Sequence, residues 1–204
     1  MSATSTPSSR LVAAVVAIGL APLLKSNGFR KHRHHFIRNG QAGTSHLEVQ
    51  ASQWNSPSRT SFTINLWTYL PAIAAAKGEE PIADPARQKF AHCGVRIGHL
   101  LPKPGDFWWV LQGESDIERV ATDVTAAVLD FGLPYLGQAV TLEGVARLSG
   151  HIPGICTDPT GAKAVALRLL GREQEAVNVE LAIQAQRDVA RAYTLAQMAQ
   201  RGEA

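Results

Sequence analysis

Cysteine is scarce in this chain, which has only Cys93 and Cys156 among its 204 residues. Two cysteines are too few for a disulfide framework or for a zinc site built from cysteine. Long apolar stretches are missing as well, because the longest uncharged apolar run covers residues 11–24 and a bilayer requires roughly 20 residues. These absences exclude a small disulfide-bonded fold, and they predict no membrane partner.

Catalytic signatures are absent too. The sequence contains no P-loop, no dinucleotide-binding fingerprint and no H-E-x-x-H zinc motif. A nucleophile pair would have to join Cys93 to His92 or His99, and neighbours on a strand rarely face each other. The adjacent carboxylates Glu79 and Glu80 fall in an expected loop. The sequence therefore favours a non-enzymatic protein with no catalytic residues, no metal site and no cofactor, and it leaves the question of activity open.

The composition is that of a globular protein with an uneven charge. Hydrophobic residues make up 45% of the chain and charged residues 18%, which indicates a packed core rather than a disordered chain. The net charge is +3 at pH 7. Residues 1–60 hold seven Lys and Arg against one acid, whereas the remainder holds 13 against 16. The basic part either faces the acidic rest of the protein or attracts an anionic partner.

The N-terminus begins with a Ser- and Thr-rich segment over residues 1–9, which predicts a disordered tail. Arg10 and the apolar residues after it resemble a signal peptide, but no small-residue cleavage site precedes the basic Lys25. We therefore expect a core helix over residues 11–26 and a cytoplasmic protein, with a signal segment as the alternative. The apolar stripe predicted for this helix consists of Leu11, Val15, Ile18 and Pro22.

Five segments alternate apolar and polar residues with the period of a β-strand. They cover residues 30–38, 46–53, 61–70, 95–101 and 107–111. Short polar turns join the first three segments, which predicts an antiparallel meander. Residues 72–90 contain Gly78, Pro81 and Pro85, so we expect an irregular excursion there.

A helical pattern follows the strands. Apolar residues recur at helical spacing from Ile117 onward, and Gly132 ends the pattern. Thr141 is the expected N-cap of a shorter helix over residues 141–148. Together the segments predict an α+β domain over residues 10–150, in which an antiparallel sheet of about five strands is flanked by helices.

The residues beyond this domain differ from it in composition. Residues 151–160 combine Gly and Pro, which indicates a linker. From residue 161 to residue 204 the chain is rich in Ala, Leu, Gln, Glu and Arg, and Gly171 divides this extension into two parts. We expect helices over residues 162–170 and 173–200, packed as a C-terminal helical hairpin.

Four short motifs together carry a family resemblance. P-L-L-K-S-N-G-F-R-K lies at residues 22–31, R-I-G-H-L at residues 96–100, D-F-W-W at residues 106–109 and G-L-P-Y-L at residues 132–136. Over about residues 10–150 the chain resembles the bacterial domain of unknown function family numbered 4304. The resemblance implies an α+β domain. It implies no activity, because that family is defined without a known one.

The basic segment R-K-H-R-H-H-F-I-R at residues 30–38 is the densest group of chemically active side chains. On a single strand His32 and His34 would share a face and could bind a divalent metal, but the surrounding positive charge opposes a cation. Basic, partly solvated strand residues without a ligand are therefore the favoured interpretation, and an anion rather than a metal is the expected ligand if the segment is functional. The candidate anion-binding residues are Arg30, Lys31, His32, His34, Arg38 and Arg96.

Nucleic-acid binding is a less favoured version of the anion-binding hypothesis. Phe36, Trp54 and Trp67 lie on or near the basic strand, where aromatic rings could stack on bases. The segment has no Gly-rich loop and no RNA-binding motif, so ordinary packing of these rings is favoured.

Trp108 and Trp109 are the candidate interface residues. Adjacent residues on a strand face opposite sides, so one Trp is expected in the core and the other under a helix, the C-terminal hairpin or a partner. An exposed Trp is a frequent anchor of protein interfaces. Arg96 is expected to stack on a Trp or to pair with Asp106.

The sequence therefore predicts function only at the level of class. The leading hypothesis is a non-enzymatic module that binds an unidentified protein partner through the exposed sheet face or the Trp108/Trp109 region and, by analogy alone, neutralises a partner toxin. The alternative is an enzyme or binding protein that holds a phosphate-bearing or other anionic ligand on the basic strand. An exposed apolar patch around one Trp favours the first hypothesis, and a pocket lined by His34, Arg38 and Arg96 favours the second.

Overall fold

The computed structural model describes residues 7–56, 58–80, 92–150 and 161–201. Residues 1–6 of the expected tail, residues 81–90 of the expected excursion and the expected linker at 151–160 lie outside this description.

All strands of the described chain lie between residues 30 and 111, and only helices follow them. The α-helices of the described residues are α1 (Pro7–Val15), α2 (Ala21–Ser26), α3 (Pro71–Ala76), α4 (Ile117–Ala127), α5 (Leu133–Ala139), α6 (Leu142–Leu148), α7 (Ala162–Leu169) and α8 (Glu173–Gln200). The strands are β1 (Arg30–His32), β2 (His35–Asn39), β3 (Thr44–Ala51), β4 (Thr60–Tyr69), β5 (Cys93–Arg96) and β6 (Trp109–Leu111). Two π-helical turns, Val16–Leu20 and Val128–Gly132, join α1 to α2 and α4 to α5.

The six strands form one antiparallel sheet in the order β1-β2-β3-β4-β5, and β6 pairs with the first residues of β4. The longest pairing joins β3 to β4, from Thr44 opposite Tyr69 to Ala51 opposite Phe62. β5 and β6 follow each other along the same side of β4. The expected α+β class with its antiparallel meander is confirmed.

The basic segment at residues 30–38 is a hairpin rather than the single strand that the sequence suggested. His32 pairs with His35, and Arg33 and His34 form the turn between them. Arg33 has a φ of 55°, a left-handed conformation that two-residue hairpin turns require. Gly or Asn usually marks such a position, so this turn carried no signal in the sequence.

Two other expected elements have different bounds. The excursion expected at residues 72–90 starts with a helix, because Pro71 occupies the first turn of α3, where a missing N–H costs nothing. The strand expected at residues 95–101 ends at Arg96. Gly98 lies directly against the backbone of Gly105, and the Gly105 N–H donates to the Gly98 carbonyl at 3.1 Å, so the chain folds back on itself here.

Helices cover one face of the sheet, and the core lies between them and the sheet. The buried residues that fill it include Val15, Leu20, Leu24, Leu47, Ile64, Leu66, Val124 and Leu136. A fully buried side chain of this kind stabilises the fold by about 1.5–3 kcal/mol. Gly19 allows the N-terminal helix to approach α4, since a Cβ there would lie 2.9 Å from the carbonyl oxygen of Ala121.

The N-terminal helix packs into this core. By length and composition the segment Ser8–Ser26 could cross a membrane, with a mean hydropathy of 1.5, and a core helix or a signal sequence passes the same test. In the folded chain Val12, Val16 and Leu20 are buried against the sheet and α4. Only 28% of the most apolar window of this segment is buried inside the fold, so the core helix stays a prediction, with the signal segment as its alternative.

The stripe expected on this helix is wrong in its second half. Ile18 is 54% exposed and Pro22 is exposed as well, whereas Leu20 and Leu24 are buried. The π-helical turn Val16–Leu20 adds a residue to the turn and rotates the buried face, which a regular 3.6-residue period does not anticipate.

The C-terminal helices α6, α7 and α8 pack together. Thr141 caps α6, because its Oγ1 accepts a hydrogen bond from the Gly144 N–H at 3.0 Å, as the sequence predicted. Gly171, at a φ of 73°, forms the turn between α7 and α8, and Arg168 on α7 pairs with Glu180 on α8. The expected helical hairpin is confirmed.

Candidate functional site: the polar face of the sheet

The face of the sheet opposite the core helices carries a row of polar side chains. His35, Glu48, Asn65 and Arg96 lie opposite one another on β2, β3, β4 and β5. Alternation along each strand places all four on the side away from the buried Leu47 and Leu66. Together with two neighbours these half-buried residues form what we call the polar face, which consists of His35, Glu48, Gln50, Asn65, Trp67 and Arg96.

Asn65 lies at the centre of a hydrogen-bond network on this face. Its Nδ2 donates to Glu48 Oε2 at 3.1 Å and to Gln50 Oε1 at 2.7 Å. Its Oδ1 accepts from Arg96 Nε at 3.4 Å, and Arg96 Nη2 reaches Gln50 Oε1 at 3.4 Å. One amide therefore connects three strands and fixes the orientation of a carboxylate, an amide and a guanidinium.

Arg96 is held on its other side by residues just before β6. Its Nη1 donates to Asp106 Oδ1, and its Cζ lies 5.2 Å from the centroid of the Trp108 ring. The Arg96 hydrogen bond, followed by one from Trp108, lowers the pKa of the Asp106 carboxyl below its ordinary value. Arg96 thus makes both of the contacts that the sequence offered as alternatives, one with an acid and one with a Trp.

Trp67 lies between two histidines at the other end of the polar face. The ring of His46 stacks on it with centroids 5.3 Å apart, and His35 meets its edge at 5.8 Å. His35 Nε2 is also 3.7 Å from Glu48 Oε1. The aromatic cluster and the hydrogen-bond network are therefore joined through His35.

The six candidate anion-binding residues do not converge on one site. Arg30 and His32 pair with Ile37 and His35, so they share the side of the polar face at its β1 edge. Lys31 and Arg38 lie on the opposite side, the side of the buried Phe36 and Phe29. The cationic groups stack there, with Lys31 Nζ 5.9 Å from the Phe36 ring and Arg38 Cζ 4.8 Å from the Phe29 ring.

The structure also separates the two histidines that a metal site in the basic segment would need. His34 belongs to the turn, so it does not share a strand face with His32. Within the described residues, no group of three or more His, Cys, Asp or Glu side chains is placed to hold a metal ion.

The two candidate interface tryptophans lie on opposite sides of the sheet, as expected for adjacent residues of an extended chain. Trp109 is only 4% exposed, and its ring stacks on Phe62 at 5.6 Å and meets the edge of Phe107 at 5.0 Å. Trp108 is half-buried and carries Arg96 over its ring. Trp109 is thus a core residue, and Trp108 extends the polar face.

Cys93 and His92 do not form a nucleophile pair. Cys93 is buried with its Sγ 3.2 Å from the Tyr135 hydroxyl on the core side. His92 points to the other side, where its Nδ1 accepts from the Leu70 N–H at 2.9 Å and its Nε2 lies 3.5 Å from Glu79 Oε2. The bond at Nδ1 leaves the neutral ring with its proton on Nε2, facing the carboxylate.

Three members of the polar face, Glu48, Gln50 and Asn65, were not candidates in the sequence analysis, which considered Trp67 only as a ring that could stack on bases. Glu48 and Gln50 alternate with apolar residues on β3, and Asn65 and Trp67 do so on β4. That alternation marks a face that is not core. Which of these residues meet depends on the strand register, which the sequence alone does not provide.

A sheet with helices on one face and a half-exposed polar network on the other defines a small α+β domain. The chain belongs to the DUF4304 family of domains of unknown function, whose model matches residues 20–138. This confirms the family resemblance expected from the sequence. The matched residues contain the whole polar face, whereas α7 and α8 lie beyond them. No curated protein and no solved structure matches the chain.

Proposed function

We propose that this protein is a cytoplasmic, non-enzymatic interaction module that binds another protein through its polar face, with Trp108 and Trp67 as the apolar anchors. The observation that carries the proposal is the fixed position of Arg96, which is hydrogen-bonded to Asn65 and Asp106 and lies over Trp108. Trp, Tyr and Arg dominate the energetically important positions of protein interfaces. A preorganised Arg on a half-buried Trp loses little side-chain entropy on binding.

The shape of the polar face supports a protein partner over a small ligand. Its row from His35 to Arg96 crosses four strands, a distance of about 14 Å at the usual strand spacing. Its cation Arg96 is already paired with Asp106, and Glu48 accepts a hydrogen bond from Asn65. A small anion would compete with the Asp106 carboxylate for the Arg96 guanidinium. An extended surface of aromatic and hydrogen-bonded polar groups suits a broad protein contact.

The partner's chemistry follows from the same groups. Trp67 and Trp108 require apolar or flat side chains opposite them, while Asn65 and Gln50 offer amides between the two rings. Arg30 and His32 at the β1 edge favour a partner with carboxylates at that end. Neutralisation of a partner toxin is one form of this activity, and its support is analogy with other small bacterial domains alone.

A second candidate function, anion binding at the β1–β2 hairpin, is supported by a different observation. Within the described part of the chain, Arg30, Lys31 and Arg33 on the β1–β2 hairpin are exposed and form no ion pair with a carboxylate. Unpaired cations at a sheet edge attract anionic groups, including the phosphates of a nucleic acid or of a small substrate. Anion binding at this hairpin is therefore the alternative to a protein contact on the polar face.

The test compares three forms of the protein as bait in native lysate, with one half of each sample treated with nuclease. Trp108→Ala removes the proposed anchor and leaves the buried Trp109 in place. Trp54→Ala is the matched control, since Trp54 is 84% exposed in the loop between β3 and β4 and lies off the polar face. Mass spectrometry quantifies the proteins that each bait retains.

We expect a stoichiometric protein on wild type and on Trp54→Ala in both halves of the sample, and at least a tenfold loss of that protein on Trp108→Ala. Equal retention by Trp108→Ala contradicts the polar face as the contact. Loss of all retained protein after nuclease supports the hairpin and nucleic acid instead. Circular dichroism of the three baits confirms that each is folded.

A further inference from the structure

The sheet has an open edge at β1. Among the described residues no strand pairs with the outer side of β1, and residues 30–34 of the β1–β2 hairpin are all exposed. Backbone groups of an edge strand that point outward have no partner within the sheet, so they are available to a strand from another chain. The direction of the backbone groups in β1 therefore decides what this edge can bind.

Lys31 directs its backbone N–H and carbonyl to this open edge. The Val49 N–H on β3 donates to the His34 carbonyl at 2.9 Å, so the backbone groups of the next residue, His35, point the other way, towards β1. His32 lies opposite His35 and uses its own backbone groups for that pair. Because the direction of these groups alternates along a strand, the N–H and the carbonyl of Lys31 point away from β2.

The charge of this edge has a single sign. The hairpin sequence at residues 30–34 is R-K-H-R-H, and Glu48 is the first acid in the chain. The two elements that pack most closely against β1 add no acid, since α2 brings Lys25 and β2 brings Arg38. Carboxylates of a second molecule would therefore meet positive charge along the whole edge.

We propose that the β1 edge binds an extended acidic segment of the partner protein, which adds to the sheet as a further strand beside β1. Binding at this edge rests on the proposed function, and it adds the chemistry of the partner at one end of the polar face. A strand that adds to a sheet edge gains affinity from main-chain hydrogen bonds and specificity from alternate side chains. Lys31 supplies one N–H and one carbonyl for these bonds, and the added strand supplies the complementary pair.

The side chains of β1 define where the carboxylates of the added strand lie. Arg30 and His32 are on the side of the polar face, and Lys31 is on the opposite side. Residues opposite each other on paired strands have Cβ atoms about 5 Å apart, which is within reach of an ion pair. Two acids spaced two residues apart would therefore contact Arg30 and His32 and continue the row of the polar face beyond His35.

The open backbone groups favour a peptide over a phosphate. A phosphodiester accepts hydrogen bonds but donates none, so it would leave the Lys31 carbonyl without a donor. Base stacking requires exposed aromatic rings, whereas Phe36, the aromatic residue of β2, is buried. An acidic peptide strand matches both the charge and the backbone groups of this edge.

The test uses the full chain and a fluorescein-labelled peptide of about ten residues that alternates Glu and Thr. Fluorescence anisotropy measures its affinity for wild type and for two variants. Lys31→Ala removes the ammonium group and keeps the outward N–H. Lys31→Pro removes both, and proline is tolerated in an edge strand where the N–H faces away from the sheet. A peptide that alternates Glu and Pro is the matched control probe, because it has the same charge and cannot pair as a strand.

We expect wild type to bind the Glu–Thr peptide and Lys31→Pro to bind it about tenfold more weakly than Lys31→Ala, because one main-chain hydrogen bond is lost. The Glu–Pro peptide should bind wild type more weakly by a similar factor. Equal affinities of the two variants, or of the two peptides, overturn the strand addition. Absence of binding at about 1 mM peptide overturns it as well. Tighter binding of labelled oligothymidine than of the Glu–Thr peptide identifies a phosphate site instead and also overturns the proposal.

A second measurement needs no variant that has to fold. In NMR spectra of wild type, the amide proton of Lys31 is expected to exchange rapidly with solvent and to become protected when the Glu–Thr peptide is bound. The amide proton of His32 is the control, since it already bonds to β2 and should respond little. Peptide binding without any change at Lys31 overturns the β1 edge as the site.

The strand addition and the polar-face contact fail in different ways. A lysate protein that depends on Trp108, together with a peptide that does not bind, leaves the polar face in place and overturns the β1 edge. Peptide binding with the expected order of the variants supports the β1 edge even when no lysate protein depends on Trp108.

Discussion

The guanidinium of Arg96 lies over the indole of Trp108, with 5.2 Å between Cζ and the ring centroid, while the same guanidinium donates to the carboxylate of Asp106. One cation therefore joins the end of β5 to the residues just before β6. Since Asn65 and Gln50 also accept hydrogen bonds from it, Arg96 connects the network on the sheet to the candidate anchor. Its removal has consequences that can be measured without knowledge of any partner.

Arg96→Gln is expected to raise the pKa of Asp106 towards its ordinary value, because the hydrogen bond from Arg96 is the largest cause of the lowering. Carbon-detected NMR titration of the aspartate side chains measures this shift. Asp116 is the internal control, since its pKa is lowered mainly by Arg119 and is expected to stay unchanged. An Asp106 pKa that does not rise would show that the ion pair is absent in solution.

Asn65→Ala is expected to reduce the free energy of unfolding by about 1–3 kcal/mol. The substitution leaves Glu48 and Gln50 without their shared donor and removes the acceptor of Arg96 Nε. Urea unfolding measures the loss. Gln41→Ala, at an exposed turn position between β2 and β3, is expected to change the free energy by less than about 0.5 kcal/mol. Equal effects of the two substitutions would contradict a network centred on Asn65.

Trp109→Ala is expected to destabilise the fold by about 3–5 kcal/mol, the usual loss for a large aromatic side chain removed from a core. Its ring stacks on Phe62 and contacts Phe107, so the substitution removes both ring contacts and leaves a cavity. Trp54→Ala, at an exposed position, is expected to reduce the free energy of unfolding by less than about 0.5 kcal/mol. Both values come from denaturant unfolding, and a mild Trp109→Ala variant would mean that β6 does not pack as described.

Gly19→Ala is expected to destabilise the protein by about 1–3 kcal/mol through overpacking. The new Cβ would lie 2.7 Å from Thr125 Oγ1 and 2.9 Å from the Ala121 carbonyl oxygen, which is backbone and cannot move aside. Gly137→Ala in α5 is the matched control, because a Cβ there meets nothing within 4 Å. Removal of a helical glycine without a clash is expected to stabilise by up to about 1 kcal/mol. The midpoint temperature of thermal unfolding should therefore fall for Gly19→Ala and rise for Gly137→Ala.

Glu79 is expected to make the stability depend on pH. Burial acts to raise the pKa of Glu79, but hydrogen bonds from Lys77 and His92 outweigh it and lower that pKa below its ordinary value of 4.5. The stabilisation from the ionised carboxylate is therefore complete above about pH 5 and is lost as the pH falls through the lowered pKa. Urea unfolding of wild type and Glu79→Gln should differ at pH 7 and converge in acid.

The neighbouring exposed Glu80 provides the control for that experiment. Glu80→Gln should follow the wild-type pH dependence throughout. If Glu79→Gln and wild type keep a constant difference from pH 7 into acid, the carboxylate of Glu79 is not the group responsible.

The parts of the fold that the sequence predicted are those in which local pattern and packing agree. Residues 46–50 of β3 and 61–66 of β4 alternate between polar and apolar residues, and Thr141 is an ordinary N-cap. The hairpin at Arg33 was missed because its left-handed turn residue is neither Gly nor Asn. Ile18 was wrongly predicted to be buried. The π-helical turn changes which side of the helix faces the core, and no spacing of apolar residues in the sequence marks such a turn.

The candidate site was less accessible to sequence reasoning than the fold. Arg96 and Trp108 were named from residue type alone, and Asp106 was a near neighbour in the chain. Asn65 was not named, because its importance depends on being opposite both Glu48 and Arg96 in the sheet. Strand register is a property of the assembled sheet, so a residue that connects three strands is visible only after folding.

β1 has a consequence for how the protein behaves at high concentration. It lies at one edge of the sheet that the described residues form, it has only three residues, and each of them is exposed and can carry positive charge. An unpaired strand edge invites another chain to add a strand, which is the first step of edge-to-edge aggregation. A short edge that carries Arg30, Lys31 and His32 repels a second copy of itself. The basic hairpin is therefore expected to oppose edge-to-edge aggregation at this edge, whichever ligand or partner the protein binds.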